Sequence, residues 1–201
     1  HSITVISHVS ISAVSMQRFL NLEAHWIVDG EGVITADIKV EKNPDVPYLP
    51  RFGIRMFLPE NWNYVEYCGI GPTESYPDKH RAGYYGQFSA EVKNLHEDYL
   101  KPQENGSHCG CDLLCITGPQ AGLTVRSIER EFSFNASPYT QEQLTATPHN
   151  DELSPSGYTV LCLDYAQSGI GSGSCGPALM EKYQLNQKTF RFHIQMKPEI
   201  Y

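Results

Sequence analysis

Basic side chains are in short supply. Against 23 Asp and Glu, the 201-residue chain sets only 15 Lys and Arg, for a formal net charge of −8. Such a chain lacks the cationic footprint that phosphate backbones demand and is repelled by anionic lipid. Nucleic acid and membrane surfaces are therefore excluded as expected partners. No apolar run approaches the roughly 18 residues of a spanning helix. Tryptophan is almost absent, with only Trp26 and Trp62, both read as strand or strand-edge positions. Cysteine is sparse as well. The six residues Cys68, Cys109, Cys111, Cys115, Cys162 and Cys175 fall far below the density of a disulfide scaffold, so free and mostly buried thiols are expected. Nor does a charged start followed by an apolar stretch mark a signal peptide; the chain opens His1-Ser2 and reads as an excised fragment.

What the chain does have is a 40% apolar content with 19% charge, which suits one folded domain rather than a disordered segment. Its apolar residues alternate. Ile3, Val5, Val9 and Ile11 share one parity, and so do Leu20, Leu22, Ala24, Trp26 and Val28. The turn signal Asp29-Gly30-Glu31-Gly32 follows, then Ile34, Ala36, Ile38 and Val40, which reads as a hairpin. Phe52, Ile54, Met56 and Leu58 repeat the pattern, as do Phe190, Phe192, Ile194 and Met196. Each such strand is expected to bury one face. No helical period persists beyond about ten residues, and Pro and Gly clusters separate the strands, so an antiparallel sandwich is predicted. Thr140 with Gln143 three residues later predicts a capping box and one short helix. Pro72 to Gly106, Thr147 to Gly157 and the Gly-rich stretch from Ser168 to Gly176 read as long, functional or buttressing loops.

Signals of chemistry are weak. His108-Cys109-Gly110-Cys111 with Cys115 suggests zinc, but the paired knuckles of a structural site are missing. The three cysteines share one strand parity, which points to the core instead. The Gly171 to Gly176 string has neither the following helix of a nucleophile elbow nor the Gly-Lys-Ser/Thr of a phosphate loop. It reads as a turn, or as a mobile loop whose bare backbone approaches a ligand closely. Glu74 and Asp78 read as structural carboxylates tying loop amides and cations together. His149, in a surface loop, is a candidate ligand contact.

Several strings occur together and in order: Leu49-Pro50-Arg51-Phe52-Gly53, Gly69 to Asp78 (GIGPTESYPD), Pro102-Gln103-Glu104-Asn105-Gly106, Phe132 to Ser137 (FSFNAS) and Gly169-Ile170-Gly171, with Tyr139 to Leu144 and Asp164. In this order the chain resembles the C-terminal, small-chain domain of bacterial β-galactosidases of glycoside hydrolase family 2. The resemblance covers nearly the whole chain. It implies an all-β, antiparallel β-supersandwich of the galactose-mutarotase-like type, truncated at its N-terminus. It also implies a parent that hydrolyses terminal β-D-galactosides with retention, through two glutamates placed about 5 to 5.5 Å apart. Those glutamates, and the magnesium and sodium sites of the family, belong to a barrel region that is not in this sequence.

By the same resemblance, this chain is expected to be catalytically silent alone, to contact the barrel domain or large subunit of the parent, and to brace a homo-oligomer. The compartment, bacterial cytoplasm or periplasm, is left open. The segment after Gly169-Ile170-Gly171 is expected to reach the β-galactoside substrate through Gly173, Ser174, Cys175 and Gly176. In an enterobacterial member a Trp there forms an aromatic platform for the aglycone sugar; here Cys175 takes its place, so the stacking surface is lost. His108 and Asp112 stand where basic residues are expected. A free-standing carbohydrate-binding module and an aldose mutarotase are the alternatives. The scarcity of Trp opposes the first, and the second needs a positioned His acid and Glu base whose motifs are not evident.

Overall fold

The computed structural model describes residues 1–14, 17–170 and 178–201. Alternating apolar side chains become antiparallel strands throughout, arranged as two sheets. The larger contains β1 (Ser2–Ile11), β2 (Leu20–Asp29), β3 (Ile34–Lys42), β5 (Tyr64–Gly71), β6 (Tyr84–Glu91), β8 (Leu113–Thr117), β9 (Ala121–Ser127) and β12 (Thr189–Ile200). The smaller contains β4 (Arg51–Pro59), β7 (Ser107–Cys111), β10 (Phe132–Ser137) and β11 (Tyr158–Gln167). Their orders are β1-β2-β3-β12-β9-β8-β5-β6 and β4-β11-β10-β7. The expected antiparallel sandwich is the architecture observed.

The core lies between the sheets. Phe134, Leu161 and Leu163 of the smaller sheet are fully buried, as are Val65, Leu114, Val125 and Ile194 of the larger. Each such side chain contributes about 1.5 to 3 kcal/mol on leaving water. The β2–β3 turn forms where Asp29 predicts it: one carboxylate oxygen accepts the amides of Glu31 and Val33, both at 2.9 Å, and Gly32 takes φ +80°. The capping box also forms. Thr140 Oγ1 accepts the Gln143 amide at 3.1 Å while Gln143 Oε1 accepts the Thr140 amide at 2.9 Å, and α1 (Gln141–Ala146) follows.

Three expectations need correction. First, the tract from Pro72 to Gly106 is not all loop, because β6 and a 3₁₀ turn at Val92–Leu95 lie inside it. The Tyr- and Gly-rich run Tyr84-Tyr85-Gly86-Gln87 hides the strand, since β6 is an edge strand with little apolar alternation. Second, Cys109, Cys111 and Cys115 do not share one strand. The chain turns at Asp112 and passes from the smaller sheet to the larger, so Cys111 is buried while Cys115 points outward beside Thr124 Oγ1. Third, β1 does not bury its apolar face. Ile3, Val5 and Val9 are 71%, 56% and 43% exposed, and Ile6 on the other parity is 56% exposed. Period two reports strand geometry; whether something covers the face depends on a neighbour.

Beside that edge lies an apolar cleft of about 490 Å³, whose walls include Ile11, Phe19, Leu22, Ile38, Phe52 and Ile54. Trp62 lies off the strands, in the connection between β4 and β5, against Gly118.

Candidate functional site

The strings singled out in the sequence converge on one end of the smaller sheet. Arg51, opening β4, reaches across to β11. Its Nη2 donates to Asp164 Oδ2 at 2.5 Å and its Nε to Asp164 Oδ1 at 3.2 Å, while Nη1 donates to Glu104 Oε1 at 3.0 Å. Burial works against the guanidinium charge, but the carboxylates of Asp164 and Glu104 outweigh it and hold Arg51 protonated. Gln167 Nε2 bridges Asp164 Oδ2 at 3.1 Å and Ser107 Oγ at 2.9 Å. The register of β11 against β4 slips by one residue between Asp164 and Ala166, a bulge that leaves Tyr165 unpaired.

Gly53 sits opposite Asp164, where a Cβ would lie 2.2 Å from the Leu163 carbonyl oxygen and 2.3 Å from Asp164 Oδ1. Only glycine leaves room for that carboxylate. Phe52 meanwhile packs edge-on against Phe190, with ring centroids 5.1 Å apart.

The Gly69 to Asp78 string supplies a second clamp. Glu74 is buried, which disfavours its charge, yet hydrogen bonds from Lys79 Nζ, Tyr99 Oη and the Gly106 amide outweigh burial and hold its carboxyl below the usual range. The Gly106 contact spans 2.8 Å and is made where φ is +71°, with the Leu95 carbonyl too close for any side chain. Ser75 donates its amide to the Ser107 carbonyl at 2.6 Å, and its Oγ accepts the Cys109 amide at 2.9 Å. Asn135 of the FSFNAS string donates its side-chain amide to the Asn105 carbonyl. Glu74, which takes a backbone amide and a cation, and Asp78, whose Oδ1 accepts the Ile170 amide at 3.1 Å, thus play the structural part expected of them. A polar cleft of about 390 Å³ opens beside them, lined by Glu74, Asp78, Lys79, His80, Arg81 and Tyr99 among others.

Onto this platform comes the chain leaving β11. Ser168 donates its amide to the Pro50 carbonyl at 2.8 Å and its hydroxyl to the Leu49 carbonyl at 2.6 Å, and the same hydroxyl accepts the Leu185 amide at 2.9 Å. Gly169 donates to the Tyr183 carbonyl at 3.0 Å. The segment that follows contains Gly173, Ser174, Cys175 and Gly176, the expected substrate contacts, and these lie outside the described residues.

His149 stands apart. Its side chain is exposed at 64%, its Nδ1 is 3.0 Å from Glu152 Oε1, and it lines neither cleft described above. His108 is the reverse, fully buried against Tyr67 and Phe134 with its pKa pushed down to about 4 by burial. It replaces an expected cation with a neutral ring. Asp112, the other departure, accepts the Tyr85 hydroxyl at 2.9 Å. Among the described residues no group of three or more His, Cys, Asp or Glu is placed to hold a metal ion. Among the described residues the zinc reading therefore gains no ligand set.

Alone, the sequence strings did not disclose that they meet, and the roles of Glu104, Ser168 and Gln167 went unnoticed. Ser and Gln carry no periodic signal, and their partners are remote in the chain.

Residues 1–196 match the family model described as beta galactosidase small chain. The chain is 44% identical over 187 residues to a beta-galactosidase of Actinobacillus pleuropneumoniae, covering 93% of this chain and 18% of that protein. It is 41% identical to a beta-galactosidase of Staphylococcus xylosus, covering 86% of this chain and 17% of the relative. It therefore spans less than a fifth of the length of these relatives. Among solved structures, a galactose 1-epimerase from Lactobacillus acidophilus NCFM is similar with a TM-score of 0.49 and 11% identity, over 99% of this chain and 62% of that one. The chain belongs to the beta-galactosidase small-chain family.

Proposed function

We propose that this chain is the noncatalytic C-terminal domain of a larger β-galactosidase that hydrolyses terminal β-D-galactosides with retention, and that it supplies one segment, Gly173 to Gly176, to the substrate entrance. The observation that carries this reading is how the buried carboxylates Asp164 and Glu74 and the half-buried Glu104 are used. Asp164 and Glu104 are engaged by Arg51, and Glu74 by Lys79, Tyr99 and a backbone amide. A retaining mechanism needs one carboxylate free to attack and one able to pass a proton. Carboxylates clamped by cations and amides serve a scaffold. The two glutamates of the reaction belong to the rest of the parent.

The exposed apolar strand β1 and the adjoining cleft supply a docking face for that remainder, the barrel domain or large subunit. Bracing of a homo-oligomer of the parent is part of the same proposal.

The test is hydrolysis of a chromogenic β-galactoside. Pure chain is expected to give no turnover above a mock preparation, and the complete parent is expected to turn over. Turnover by the pure chain overturns the proposal. Calorimetric titration of the chain with galactose and lactose checks one alternative, because saturable binding by the isolated chain indicates a carbohydrate-binding module instead.

A further inference from the structure

Over the bulge in β11 lies a third cleft, of about 190 Å³, whose lining contains no Asp or Glu. Tyr165, the residue the bulge leaves without a strand partner, forms part of its wall. A bulge re-aims a side chain, and here the new direction is firmly held. The Tyr165 ring stacks on Phe190 with centroids 4.5 Å apart, and its hydroxyl donates to Gln187 Oε1 at 2.7 Å. Over that fixed ring sits the Arg130 guanidinium, 4.3 Å from the centroid. The same cleft takes Lys182 from the 3₁₀ turn Glu181–Tyr183, with Nζ 4.6 Å from the Tyr183 ring centroid. That turn is anchored too, because the Tyr183 amide donates to the Met180 carbonyl at 2.9 Å and its carbonyl accepts the Gly169 amide at 3.0 Å.

Neither cation forms an ion pair among the described residues. Glu129 is taken by Arg191 and His193, and Glu131 lines the adjoining cleft of about 120 Å³. Residues 15, 16 and 171–177 include no Asp or Glu, so they supply no counter-charge either. In a chain of net charge −8, one cleft thus carries two cations and no acid. Its local field opposes that of the whole molecule and attracts anions. A guanidinium offers a planar fork of donors that matches an oxyanion, and an ammonium adds a point charge. Resting on a fixed ring also leaves Arg130 with less freedom to lose when a ligand arrives. Gln187 adds its Nε2 donors, which have no partner among the described residues.

We propose that this cleft binds a small oxyanion, a phosphate or carboxylate group, with Arg130 as its forked donor and Lys182 as the second charge. The site is independent of where the galactoside bond is broken.

The experiment is calorimetric titration of the full-length parent with inorganic phosphate and, separately, with acetate, sodium chloride holding the ionic strength constant. Saturable binding in the millimolar range or tighter is expected, and the tighter of the two probes identifies the head group. R130A and K182A are each expected to weaken that binding at least fivefold, and R130A/K182A to abolish it. R130K keeps the charge without the fork and is expected to weaken binding at least twofold. K101A removes an equal charge from an exposed lysine that lines none of these clefts, and is expected to leave the affinity unchanged. Arg130 and Lys182 are both exposed, so melting temperatures are expected to stay within a few degrees of wild type. If R130A nevertheless fails to fold, K182A and R130K carry the test. Absence of saturable binding of either probe to wild type overturns the proposal, and is the outcome if an acidic side chain of the parent already fills the cleft. Binding that survives R130A/K182A places the ion elsewhere and overturns it as well. So does an equal loss in K101A, which is the signature of general charge screening.

Discussion

Arg51 and Asp164 lie 113 positions apart in the chain and close on each other through two hydrogen bonds, 2.5 and 3.2 Å long, to a carboxylate whose side chain is only 2% exposed. The pair joins β4 to β11 beside the bulge, and through Glu104 it reaches the 102–106 loop. Removing Arg51 leaves the Asp164 carboxylate without its cation in a place water hardly enters, whereas removing Asp164 leaves Arg51 still paired with Glu104. The variant R51A is expected to lose about 3 kcal/mol or more of stability, and D164A to lose less. Urea unfolding followed by tryptophan fluorescence measures both; equal stability of R51A and wild type would contradict the arrangement.

Gly53 is the steric complement of that pair. A methyl group there collides with the Leu163 carbonyl and the Asp164 carboxylate, and neither can retreat without opening the β4–β11 ladder. G53A is expected to destabilise by about 2 kcal/mol or more, whereas G30A, whose added Cβ would be 3.6 Å from its nearest neighbour, is expected to change little. Parallel melting curves of the two variants check the contrast.

His108 makes acid stability predictable in sign. Burial depresses its pKa from 6.5 to about 4, so the folded state holds the ring neutral while the unfolded chain takes up a proton as pH falls below the ordinary value. The stability contribution is present above the ordinary value and is lost as pH falls toward the depressed one. Between about pH 7.5 and 5 this group alone removes about 2 kcal/mol. H108F keeps the stacking on Phe134 and cannot protonate. It is expected to be less stable at neutral pH, because Tyr67 Oη loses its 3.1 Å partner, yet to show a flatter pH dependence over that window. Parallel slopes for the two proteins would show that His108 is not the titrating group.

The exposed edge gives a prediction about association. Ile3, Val5 and Ile6 stand in water on an edge strand with unpaired backbone groups. Replacing Val5 and Ile6 with lysine is expected to make the isolated chain more monomeric and more soluble, and to weaken its capture by the remainder of the parent. Sedimentation velocity with and without that partner follows both effects.

Much of the fold was legible because strand formation is local. Phe190 to Met196 buries alternate residues as its pattern predicts, the Asp29 turn closes on its own amides, and Thr140 caps the one short α-helix among the described residues. Strand β6 escaped because an edge strand with little to bury carries little pattern. The cysteines misled because parity was counted through Asp112, where the chain changes sheets.

By itself, the sequence determined the strands, the hairpin, the cap, the acidic balance and the ordered strings that mark the family, all of which are properties of neighbouring residues or of composition. Only the tertiary structure decided that Arg51 meets Asp164, that Glu74 takes the Gly106 amide and that Asp78 lies under Gly169. Those contacts join residues from 32 to 113 positions apart. Hydrogen bonds of that reach depend on how two sheets stack and where one strand bulges, and no local pattern encodes either.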